Sequence, residues 1–81
     1  MTRILYFASL VDAFGRSSEE VELPAGVRDV AGLLAWLGER GQPWTRLLSE
    51  GAVRVTVNKQ FAETKTPVGD GDEIALVGMM R

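Results

Sequence analysis

The sequence predicts an α+β domain in which one main helix lies across a mixed sheet of four to five strands. Three observations carry this. Val30, Leu33, Leu34 and Leu37 fall at i, i+3, i+4 and i+7, one apolar stripe on a helix. Val53, Val55 and Val57 alternate with Arg54 and Thr56, the period of a half-buried strand. The first and last strand-like stretches are the most apolar, which suits neighbours at a sheet centre, and no local hairpin can pair them. The chain must therefore cross over by way of the helix.

Taken in order, residues 4–10 form a bulky apolar run of strand length. Such unbroken apolarity suits a central strand with a helix on one face and an apolar contact on part of the other. Gly15, Ser17 and Ser18 make residues 12–18 a connection, with a helical turn around residues 11–14. Glu20, Val21, Glu22 and Leu23 alternate as a second strand, antiparallel to the first, and Pro24 and Gly26 end it. Asp29 suits the helix N-cap, because its carboxylate can accept from N–H groups of the first turn. The helix runs over residues 30–40 with Gly41 at the C′ position. Gly32 costs up to ~1 kcal/mol relative to Ala there and offers close packing on the sheet. Pro43 opens a short helical turn over residues 44–49, closed by Gly51. After the strand at 53–57, Asn58, Lys59 and Gln60 make a turn, with Asn tolerant of positive φ. Phe61 then returns the chain to the core. Residues 66–68 are an extended bridge, 69–72 a tight turn and 73–77 the last strand.

Eighty-one residues make one domain, read as residues 1–77 with a short C-terminal tail at 78–81. A hydrophobic share of 46% suffices for one packed core. Cys and His are absent, which removes disulfides, thiolate metal sites, the usual base near neutral pH and the commonest metal ligand. A net charge of -2 and scattered basic residues give no pull toward phosphate backbones, so no nucleic-acid partner is expected. The apolar run at 30–37 is too short to span a bilayer, and no signal-peptide layout precedes the first strand. A cytoplasmic protein without a membrane partner is the expectation. No Ser-His-Asp, Cys-His, paired-carboxylate or phosphate-loop constellation can be assembled, so no catalytic residue, metal site, bound cofactor or independent active site is expected. Asp70, Asp72 and Glu73 read as a turn, since EF-hand spacing is missing. Lys59 and Lys65 read as solvated loop residues, Trp36 and Trp44 as packing residues, and Met79 and Met80 as a frayed end.

Three stretches, residues 4–8, 55–61 and 66–75, stand in the order and at the spacing of a known family. Together they resemble the sulfur-carrier proteins of ubiquitin-like β-grasp fold, most closely the small subunit of molybdopterin synthase. The resemblance covers residues 3–76. It implies a β-grasp domain acting as a sulfur carrier in molybdenum cofactor biosynthesis. An E1-like activating enzyme would use ATP to adenylate the terminal carboxylate, and sulfur transfer would make a thiocarboxylate for the large synthase subunit. Phe7, Phe61 and Val77 match the positions that face that subunit. Gly78 and Arg81 fall where the family carries its tail. That tail is extended and ends in Gly-Gly, whereas here Leu76 is followed by Val77, Gly78, Met79, Met80 and Arg81. A chain activated at Arg81 is expected to be a poor carrier. The alternative is a β-grasp protein-interaction module without carrier activity, a regulatory or structural subunit.

Overall fold

The computed structural model describes residues 1–48 and 53–78. The element order is β1 (Thr2–Phe7), α1 (Ser9–Phe14), β2 (Ser18–Val21), α2 (Val30–Gly38), α3 (Trp44–Leu47), β3 (Val53–Val57), β4 (Gln60–Phe61) and β5 (Glu73–Gly78). Alternation along β1 buries Thr2, Ile4 and Tyr6 and turns Arg3, Leu5 and Phe7 to the other face. The sheet order is β2-β1-β5-β3-β4, so the first and last strands lie side by side at its centre. They pair in parallel, Ile4 with Ile74 and Tyr6 with Leu76, while the other pairings are antiparallel. The α+β architecture with a mixed sheet is thus present, with five strands.

The apolar stripe of α2 supplies the second layer. Val30, Leu33 and Leu37 are buried against Ile4, Tyr6, Ile74 and Leu76 in one core. Leu34 departs from expectation: it is only half-buried and lines an open apolar groove of about 580 Å³ between α2 and α3, with Ala31, Ala35 and Leu48. The N-cap is as expected, Asp29 Oδ1 accepting from the Gly32 N–H at 2.8 Å. Gly32, however, does not serve sheet packing. A Cβ there would stand 3.2 Å from that same Asp29 oxygen, so the glycine leaves room for the cap. The helix stops at Gly38 rather than at residue 40, and Gly41, with φ +92, lies in the connection that follows.

Three further boundaries moved. The apolar run at 4–10 is split, because Ala8 takes φ +60 and Ser9 starts α1, where Leu10 and Phe14 are buried one turn apart. The second strand lies two residues earlier than its alternation suggests, ending at Val21, with Leu23 half-buried beyond it. The short helix after Pro43 is described as Trp44–Leu47, and the proposed ending at Ser49 and Gly51 falls outside the described residues.

The turns are held by side chains. Asn58 and Lys59 both have positive φ, as a type I′ two-residue turn requires, and join β3 to β4. Asn58 Oδ1 accepts from the Glu73 N–H at 3.0 Å, while its Nδ2 donates to Asp72 Oδ1 at 3.1 Å. Asp72 Oδ2 in turn accepts from the Gly69 N–H at 2.8 Å, and Asp70 pairs with the Met1 ammonium. The acidic turn therefore spends two of its carboxylates, Asp70 and Asp72, on folding. Among the described residues, no helix is long and apolar enough to cross a membrane.

Candidate functional site: the open face of the sheet

One face of the sheet is covered by α2; register fixes what the other presents. Leu5 stands beside Ala75, Ala75 beside Thr56, and Thr56 beside Phe61. One step further along, Phe7 stands beside Val77 and Val77 beside Arg54. Because neighbours in register share a face, these side chains all point away from the helix. Phe7 is 46% exposed and Phe61 77% exposed, large apolar rings left in water. Val77, Leu5 and Ala75 are half-buried between them. Phe7 and Phe61 are three strand spacings apart across the sheet, ~14 Å, and two residues apart along it. The face is thus an apolar strip, with Arg54 lying over its far end at 5.5 Å from the Phe61 ring centroid. At its other end Arg3 pairs with Glu20 at 3.2 Å, beside Glu73.

Of the residues singled out from sequence, Phe7 and Val77 are brought together as register partners, and Phe61 shares their face at the sheet edge. Phe61 does not return the chain to the core; Ala62, one residue on, packs there instead. Gly78 ends β5 opposite Val53, directly after Val77. A Cβ at Gly78 would lie 2.5 Å from Ser9 Oγ and 3.4 Å from Leu10 Cγ, so glycine lets the strand end pass close against α1. Met79, Met80 and Arg81 lie outside the described residues. Lys59 and Lys65 are exposed in loops. Sequence reasoning missed Arg54, Leu5, Thr56 and Ala75, although the alternation that buries Val55 already places Arg54 and Thr56 on the opposite face.

A polar cluster on the helix side holds elements in place. The buried Tyr6 hydroxyl donates to Glu19 Oε2. Arg40 grips the same carboxylate twice, at 2.8 and 3.1 Å, and Arg16 adds a contact at 3.1 Å. Arg40 also lies 4.5 Å above the Trp44 ring, and Trp44 stacks on Phe14 at 3.7 Å. Both tryptophans pack on the core, Trp36 included. Burial, then the Glu19 hydrogen bond, drives the Tyr6 phenol well above its ordinary range. Burial alone would raise the Glu19 pKa, but the bonds from Arg40 and Tyr6 outweigh it and hold the carboxyl below its usual range. Among the described residues no group of three or more His, Cys, Asp or Glu is placed to hold a metal ion.

A mixed sheet with parallel first and last strands at its centre, a helix across one face and a bare apolar strip on the other defines the ubiquitin-like β-grasp fold. Within that class, the chain belongs to the ThiS family, whose model matches residues 4–80. Among similar solved structures is a Pyrococcus furiosus protein assigned as molybdopterin converting factor subunit 1, 23% identical, with 98% of this chain and 97% of that chain covered and a TM-score of 0.76. Small archaeal modifier protein 1 of Haloferax volcanii is 21% identical over 98% of this chain and 97% of that chain, with a TM-score of 0.75. The complex of subunits 1 and 2 of molybdopterin-converting factor from Helicobacter pylori contains a chain 17% identical over 99% of this chain and 95% of that one, with a TM-score of 0.65. These share the fold with this chain. No curated protein sequence matches it.

Proposed function

We propose that this chain is the small, sulfur-carrying subunit of a molybdopterin synthase, acting in the cytoplasm with a large synthase subunit and an E1-like adenylating enzyme that uses ATP. One observation carries the reading: the apolar strip adjoins the end of β5, with Phe7 and Val77 in register and Gly78 next. A carrier must hold its partner by one surface while the residues beyond that surface reach the partner's active site. Family membership supports the reading, and so does the Helicobacter pylori neighbour, solved as a complex of subunits 1 and 2.

The chemistry asks for glycines at the activated end, since a chain without Cβ atoms threads a narrow channel. A bulky residue there misplaces the carboxylate, and ~1 Å of misplacement can cost ~100-fold in rate. The test compares two forms, one ending at Arg81 and one with a Pro-containing Gly-Gly tail grafted after Gly78. Each is incubated with the cognate activating enzyme, ATP and a sulfur donor, and its intact mass is measured. The grafted form should gain the difference between a sulfur and an oxygen atom, and the form ending at Arg81 should do so far more slowly. A failure of both forms to gain mass and to bind the large subunit would sink the carrier reading. A second reading, a β-grasp interaction module serving as a regulatory or structural subunit, rests on the exposed strip of Phe7, Val77 and Phe61 alone. Binding of the large subunit with no thiocarboxylate on either form would point to it.

A further inference from the structure

Arg54 is a cation in the apolar part of the open face that an apolar docking role does not explain. Alternation along β3 turns it outward beside Val77, amid apolar neighbours. Among the described residues it makes no ion pair. Glu20, held by Arg3, and Glu73, four residues down β5 from Val77, stand at the other end of this face, while Glu63, just past β4 in the turn of the chain beside Arg54, makes no ion pair with it. Four extended residues span ~13 Å, beyond the ~10 Å Debye length at moderate salt. Among the described residues no carboxylate is therefore paired with Arg54. Its guanidinium lies over the exposed Phe61 ring, where attraction to the π face holds it against the strip. A partner that covered this strip with apolar groups alone would strip water from the cation and return nothing.

We propose that Arg54 is a specificity-determining residue of the docking face. The partner that fits it presents a carboxylate, set among apolar side chains, which receives a two-pronged hydrogen bond from the guanidinium between Val77 and Phe61. This rests on the reading of that face as the large-subunit interface, and names what the opposing surface must carry.

The test is the Kd of the full chain for the cognate large synthase subunit, measured at low and high salt. Arg54→Glu should weaken binding about 100-fold and remove most of its salt dependence. Arg54→Lys should weaken it about 10-fold, because an ammonium keeps the charge but neither the fork nor the flat stacking. Phe7→Asp should abolish binding whatever happens at Arg54. The side chain is exposed, so thermal unfolding should show each Arg54 variant folded as stably as the parent. Arg54→Glu binding within about 2-fold of the parent at both salts, with Phe7→Asp inactive, would overturn the role of Arg54 and leave the docking face standing. Undiminished binding by Phe7→Asp, or no binding by the parent chain, would overturn both.

Discussion

Glu19 shows how one side chain can join elements distant in sequence. It sits on β2, takes the Tyr6 hydroxyl of β1, and is gripped by Arg40 just beyond α2. Its carboxylate is largely covered, 13% exposed, so the contacts are little screened. Replacing it by Ala would leave the Tyr6 hydroxyl and the Arg40 fork without their shared acceptor. A loss of about 2–3 kcal/mol is expected in urea unfolding. The sign of the pH effect follows from the depressed folded pKa. The stabilisation is whole above the unfolded carboxyl pKa and disappears as pH falls through the folded one. Unfolding free energy of the parent should therefore drop more steeply on acidification than that of Glu19→Gln. Parallel acid limbs for the two would show that the cluster contributes no such linkage.

At the scale of elements, legibility followed the number of independent signals. For β3, strict alternation of three valines was sufficient, and its boundaries stand unchanged. For α2, stripe and cap agreed, so its start was readable, while its end drifted because Glu39 and Arg40 are helix-compatible residues that lie in turns. For α1 only the later part was legible, as a helical turn around residues 11–14, and its start was not. Leu10 extends an apolar run as well in a helix as in a strand, and the break comes from Ala8 at positive φ, a residue whose type does not announce it. In the open face, Phe7, Phe61 and Val77 came from family likeness; alternation gave the face of Arg54, and only the register between strands gave its neighbour Val77. The half-buried position of Leu34 separates it energetically from Leu33 on the same stripe. Leu33→Ala removes a fully buried side chain and should cost ~2–5 kcal/mol. Leu34→Ala opens onto an existing groove and should cost about 1 kcal/mol or less. Chemical denaturation of the pair checks this, and equal losses would place Leu34 back in the core.

For the whole molecule, the sheet order sets where stability concentrates. β1 and β5 are paired on both sides and carry Ile4, Tyr6, Ile74 and Leu76 under α2, whereas β2 and β4 are edges. Native-state hydrogen exchange should find the slowest amides in β1 and β5, opening only with global unfolding, and the fastest strand amides in β4. Protection in β4 matching that of β5 would contradict this. The same central pairing has a consequence during synthesis. β1 leaves the ribosome about seventy residues ahead of its parallel neighbour. Until β5 emerges, the nascent chain holds β1 with one backbone edge unclaimed and Ile4, Tyr6 and Phe7 without their final neighbours, a template open to any passing strand. The domain cannot mature piecemeal from its N-terminal end. It is completed in one late event, and any stall in translation before residue 73 leaves its stickiest strand exposed for as long as the stall lasts.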